Sequence, residues 1–164
     1  MKKIVVINGP GGSGKDIVID YAMEILKETL LDRCSSVDQV KKLAKLFGWD
    51  GQKDDKSRKL LSDLKDMWTE YNDGPFKYIQ SRFESTDSNL LFVHVREPSE
   101  IEKIVKSYGD SVATLLIRRP DMENFNNHAD IEVENYNYDY IIENNGSLDD
   151  LRGNVRIFLK DIGF

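Results

Sequence analysis

The chain has 164 residues, 40% of them hydrophobic, with a single cysteine and two histidines. That length supports one domain with a real core, and the residue counts exclude an internal disulfide and an ordinary zinc site built from His and Cys. A net charge of −6 and a pI near 5.0 argue against a general binder of nucleic-acid polymers, whose affinity comes largely from Lys and Arg neutralising phosphates.

No apolar run approaches the roughly 18 residues needed to cross a bilayer. The N-terminal run from Ile4 to Ile7 is too short for a signal peptide, so the start is expected to be part of the fold. With Cys34 alone, the chain suits a reducing cytoplasm.

Ile4 to Ile7 is a β-branched run without alternation, as expected of a strand covered on both faces. It leads into Gly9-Pro10-Gly11-Gly12-Ser13-Gly14-Lys15-Asp16, where Gly9, Gly14 and Lys15 stand at the spacing of a phosphate-binding P-loop. Glycines there let successive backbone N–H groups turn inward around a phosphate without a Cβ in the way. Lys15 adds a mobile full charge that bridges β- and γ-phosphates. Gly9, Gly11, Gly12, Ser13, Gly14, Lys15 and Asp16 are therefore the expected ATP-binding set. Asp16 departs from the pattern, since Ser or Thr usually follows the lysine. A carboxylate beside a triphosphate is repulsive unless a divalent cation lies between them, so Asp16 is expected to face Mg2+, directly or through water. The plainer alternative is an acidic residue stabilising the first turn of a helix.

Ile17, Val18, Tyr21, Ala22, Ile25 and Leu26 mark one face of the helix that follows. A short strand is expected near Arg33 to Ser36. Val37, Val40, Leu43, Ala44 and Phe47 then share a helical face that Gly48 ends. Asp54 or Asp55 opens a longer helix with Leu60, Leu61, Leu64, Met67, Trp68 and Tyr71 on one side, and Asn72-Asp73-Gly74-Pro75 closes it. Residues 37–88 thus form a largely helical insertion.

Strands are expected at Leu90 to Val95, Val112 to Ile117 and Tyr138 to Ile142. Pro98 opens a helix burying Ile101, Ile104, Val105 and Tyr108, stopped by Gly109. Residues 120–137 read as a long polar loop, rarely idle in a compact domain. Ser147-Leu148-Asp149-Asp150 resembles a capping box before a last helix that buries Leu151, Val155, Phe158 and Leu159. Strands alternating with helices argue an α/β fold with a parallel sheet.

The order of these pieces resembles the nucleotide-monophosphate-kinase group of P-loop kinases. Similar proteins include phage-type deoxynucleoside monophosphate kinases, adenylate kinase, dephospho-coenzyme A kinases and animal-type phosphomevalonate kinases. The residues carrying the resemblance are Gly14-Lys15-Asp16, Val95-Arg96, Arg118-Arg119-Pro120 and the stretch from Asp139 to Gly146. It implies a single three-layer P-loop domain over 1–164, with 37–88 binding the acceptor and 120–137 serving as a short lid.

The resemblance also implies roles. Lys15 would act on the transferring phosphoryl group, together with Arg118 or Arg119 from the lid. Arg96 would grip the acceptor phosphate, with Arg58 and Arg82 as further candidates. Asn144-Asn145-Gly146 lies where relatives pass the adenine base, although a strand-to-helix turn explains it equally well. The implied activity is transfer of the γ-phosphoryl group of ATP to a small phosphorylated acceptor, with a nucleoside monophosphate favoured. No Asn/Thr-Lys-x-Asp motif suggests a GTPase, and no acidic pair closes the third strand as in a remodelling ATPase. His94 stands there, and Glu97 is the nearest carboxylate. These departures keep a second reading open: a non-catalytic nucleotide-binding module that acts as a sensor or binds a partner protein.

Overall fold

The computed structural model describes residues 2–26, 31–120 and 133–164. In chain order its elements are β1 (Lys3–Asn8), α1 (Lys15–Ile25), β2 (Leu31–Ser35), α2 (Asp38–Leu46), α3 (Asp55–Asn72), α4 (Gly74–Ser85) and β3 (Leu90–His94). There follow α5 (Pro98–Tyr108), a 3-10 turn (Gly109–Ser111), β4 (Val112–Arg118), β5 (Tyr140–Glu143) and α6 (Leu148–Asp161). The chain divides into two compact units, Met1–Arg33 with Asp87–Phe164, and Cys34–Thr86.

The five strands form one sheet in the order β2-β3-β1-β4-β5. The pairings of β1 with β3, β1 with β4 and β4 with β5 are all parallel. Parallel neighbours need crossover connections, and each crossover covers a sheet face, so the central strands are apolar on both sides. Ile4, Val5, Val6, Leu90, Leu91, Phe92 and Val93 are accordingly all fully buried. On one face Val5, Ile7, Phe92, Leu115 and Ile117 pack with Val18, Ile19 and Ala22 of α1 and with Leu151, Val155, Phe158 and Leu159 of α6. Separately, α5 packs along β4 and buries Ile101 and Ile104. Burial of each such side chain contributes roughly 1.5–3 kcal/mol, which makes the sheet a stiff base for the loops at its carboxyl edge.

Several local features differ from the sequence expectation. On α1, Ile17 is 40% exposed and Ile19 is fully buried, so the stripe runs through Val18, Ile19 and Ala22. The last strand begins at Tyr140 rather than Tyr138, because the Asp139 carboxylate accepts from Thr114 N and Oγ1 at 2.9 and 2.8 Å in place of a ladder bond. β2 starts at Leu31, ahead of Arg33. The last helix follows expectation closely. Ser147 Oγ accepts from Asp150 N, the Asp150 carboxylate accepts from Ser147 N, and the four expected residues are buried.

Within Cys34–Thr86, α2 packs on α3 and α3 on α4. Asp54 caps α3, its Oδ1 accepting from Ser57 N at 2.7 Å, and these hydrogen bonds hold its carboxyl below the usual carboxylate range. Asp73, at φ 57, turns the chain from α3 into α4. Phe47, Met67 and Tyr71, expected on buried faces, are 65%, 66% and 84% exposed. Phe47 sits past the last turn of α2, where helical spacing no longer sets its direction. Met67 and Tyr71 instead line an open cavity.

Candidate functional site

β1 ends at Asn8, and the chain then makes a loop of unusual backbone geometry. Gly9, Gly12 and Gly14 all have positive φ, at 151°, 78° and 102°. At Gly9 an added Cβ would lie 2.5 Å from Ile117 O and 2.6 Å from Ser13 Oγ, so only glycine fits. Ser13 N donates to Pro10 O at 3.2 Å, closing the loop on itself. Gly14 is the N-cap of α1, and no side chain caps that end, which leaves first-turn amides for another acceptor.

Two further atoms mark the hollow. Ser13 is fully buried, and its Oγ has no hydrogen-bond partner among the described residues. Lys15 folds back so that Nζ donates to Gly9 O at 2.5 Å and Pro10 O at 2.7 Å. An ammonium group folded over a glycine-rich loop at an uncapped helix N-terminus suits an anion.

The other strands bring their ends to the same edge. The β1–β3 register pairs Ile7 with His94, and the β4–β5 register pairs Arg118 with Glu143. His94 Nε2 lies 3.8 Å from Asp16 Oδ1, and the Asp16 side chain is 82% exposed. An exposed carboxylate and an imidazole nitrogen fit a divalent cation as a donor set. Arg118 is committed elsewhere. Its Nε and Nη2 donate to both oxygens of Glu134, and Nη1 donates to Glu143 at 3.0 Å. Those bonds, Glu134's first, hold the guanidinium above its ordinary pKa. Arg96 and Arg119 are both exposed. Glu97 is the N-cap of α5. The expected lid at 120–137 falls largely outside the described residues.

No family model and no curated protein matches the sequence. Solved structures do. A sugar kinase from Janibacter sp. HTCC2649 is similar over 99% of this chain and 96% of its own, with 14% identity and a TM-score of 0.53. A structure from Chloroflexus aurantiacus matches 98% of this chain and 97% of its own, at 10% identity and a TM-score of 0.53. The APS kinase CysC of Mycobacterium tuberculosis, in complex with AMPPNP and APS, matches over 97% and 98%, at 16% identity and a TM-score of 0.48. The chain shares the α/β architecture of the first two, a central five-stranded sheet flanked by helices. Identities this low speak to architecture, and chemistry has to be argued from the site.

Within this fold, the Asn8 side chain escaped the sequence reading, and Asn144, expected beside the adenine base or in a turn, takes a different place. Asn8 is 1% exposed: its Nδ2 donates to Arg96 O at 3.1 Å and to the Tyr138 hydroxyl at 2.8 Å, while its Oδ1 accepts from Gly9 N at 2.9 Å. It ties the first residue of the loop to the chain after β3 and to the chain before β5. The signal was a polar residue closing an apolar strand. Asn144 Nδ2 donates to Ser13 O at 2.9 Å, and a Cβ on Gly14 would lie 2.6 Å from that nitrogen. Asn144 thus braces the loop through its side chain.

The helical unit, taken by itself, carries a cavity of about 310 Å3 between α2 and α3. Trp68, Tyr71, Met67, Leu43, Leu64 and Val40 form its apolar walls, and Gln39 is its polar member.

Proposed function

We propose that the chain is an ATP-dependent phosphotransferase acting on a small phosphorylated acceptor. The observation that carries this reading is the loop from Gly9 to Lys15: three positive-φ glycines leading into an uncapped helix end, with the Lys15 ammonium folded over the loop. An acceptor phosphate is already an anionic nucleophile and needs no general base, so positioning and charge neutralisation supply the catalysis. On ATP binding, Lys15 Nζ exchanges two loop carbonyls for β- and γ-phosphate oxygens, the better acceptors because they carry full charge. Amides of the loop and of the first turn of α1 hold the β-phosphate, and Asn144 and Asn8 fix the loop's shape. Asp16 would hold Mg2+, which neutralises charge on the phosphates when bound. Arg96 and Arg119, both exposed at the carboxyl edge of the sheet, are the arginines proposed to meet the transferred and acceptor phosphates.

A nucleoside monophosphate is the proposed acceptor, in keeping with the resemblance to nucleotide kinases. Taken by itself, the helical unit's cavity has features that suit a base: stacking on an aromatic ring such as Trp68 gains about 1–3 kcal/mol, and the Gln39 amide can both donate and accept.

The test is ADP release from ATP with each nucleoside monophosphate in turn, preceded by calorimetry with ATP. Turnover that needs both Mg2+ and an acceptor supports the assignment. ATP uptake with no ADP release under any acceptor would favour the sensor reading, which the commitment of Arg118 to two carboxylates already supports.

A further inference from the structure

The geometry points to His94 as a second protein ligand of the nucleotide-bound cation, making a mixed imidazole–carboxylate site with Asp16 that takes a first-row transition dication in preference to Mg2+. This rests on the nucleotide-binding reading above and adds the identity of the ion.

At 3.8 Å, the separation of His94 Nε2 and Asp16 Oδ1 is too long for a hydrogen bond. It falls between the separations that adjacent and opposite ligands of one ion take, so a small side-chain shift brings both donors to a shared ion. Donors each about 2.1 Å from a shared metal lie about 3 Å apart at a right angle and about 4.2 Å apart when opposite. The side chains come from different elements, and the backbone fixes both. His94 closes β3 in register with Ile7 of β1, and Asp16 stands in the first turn of α1, next to the lysine of the loop. His94 is the more enclosed partner, at 24% exposure. No group of three His, Cys, Asp or Glu side chains among the described residues is placed to hold a metal alone. The remaining ligands are therefore phosphate oxygens and water, the usual arrangement for nucleotide-bound dications.

The donor types set the preference. Mg2+ is a hard ion that takes oxygen and keeps its waters, whereas an imidazole nitrogen is a better ligand for first-row transition ions. Mn2+ lies at the weak end of that series, so a preference measured with Mn2+ is a lower bound.

The experiment uses the whole chain with AMPPCP, a non-hydrolysable ATP analogue without a bridging nitrogen. Calorimetry gives its affinity with Mn2+ and with Mg2+, and pulsed EPR of the Mn2+ complex reads nitrogen coordination. Expected are imidazole nitrogen modulation in the native protein, its loss in His94→Ala, and at least a tenfold fall in the Mn2+-over-Mg2+ affinity ratio. His94→Asp, which restores an all-oxygen pair, should move the ratio the same way while improving affinity with Mg2+. If AMPPCP binds but the native spectrum carries no nitrogen modulation, the ligand role of His94 is overturned and the P-loop reading stands. If AMPPCP binds with neither ion, both fall together. The native spectrum decides the matter even where a variant fails to fold.

Discussion

Asn8 Nδ2 donates to the Tyr138 hydroxyl at 2.8 Å, and that hydroxyl donates in turn to Val133 O at 2.9 Å. A buried chain of bonds thus links residues 130 positions apart. Tyr138→Phe removes the hydroxyl without changing the ring, leaving Val133 O without this donor and Asn8 Nδ2 short of one acceptor. The expected loss of unfolding free energy is about 1–3 kcal/mol, read by urea denaturation at pH 7.

The same tyrosine gives a pH signature. Burial, opposed by the Asn8 hydrogen bond, pushes its phenol up to about 12 in the folded chain. The folded state therefore keeps a proton that the unfolded chain releases near pH 10. The associated stability is fully present below pH 10 and is lost as pH rises toward 12. Unfolding midpoints of the native protein should fall across that window, and part of the fall should vanish in Tyr138→Phe. Parallel curves for the two proteins would count against the buried hydroxyl.

Gly9 and Gly11 stand two positions apart in one loop and should respond very differently to alanine. At Gly9 a Cβ meets Ile117 O at 2.5 Å with φ at 151°, whereas at Gly11 it meets nothing within 4 Å. Gly9→Ala should cost at least about 2 kcal/mol of stability and abolish nucleotide uptake. Gly11→Ala should stay within about 0.5 kcal/mol of the native protein. Thermal melts with and without ATP separate the two effects.

The contrast between those glycines shows what could be read in advance. The spacing of Gly9, Gly14 and Lys15 made the loop legible, and the capping residues Ser147 and Asp150 made α6 legible down to its buried side chains. Both are local patterns in which a few neighbours in sequence decide the geometry. The exposure of Ile17 against the burial of Ile19 was not legible, because α1 packs on α6 and the apolar letters allow either rotation. Asn8 with Tyr138, His94 with Asp16 and Arg118 with Glu134 are long-range pairings set by the sheet order, which no periodicity within one element encodes.

Lys15→Ala should lower phosphotransfer by about 10²–10³-fold at saturating acceptor, comparable to removing one preorganised charge-stabilising donor. Nζ donates to Gly9 O and Pro10 O within the loop, and Lys15 is no member of the hydrophobic core under the sheet, so the melting temperature should fall far less than turnover. Circular dichroism melts alongside ADP-release kinetics check both halves. Turnover at the native rate with the fold intact would refute the phosphate role of this lysine.

Arg118 and Arg119 are adjacent in sequence, yet their surroundings assign them different work. Arg118 is held by Glu134 and Glu143, so its charge is already balanced by two carboxylates, and it joins the end of β4 to the end of β5. Arg119 is exposed beside it. Arg119→Ala should therefore lower the turnover number while leaving the unfolding midpoint within experimental error. Arg118→Ala should lower the midpoint, since it leaves Glu134 and Glu143 close together without their shared cation. Restoring neutrality with Glu134→Gln in the Arg118→Ala background should recover part of that loss. Should Arg118→Ala prove to affect turnover alone, with an unchanged melt, the two arginines have exchanged roles and Arg118 leaves its carboxylates when nucleotide binds.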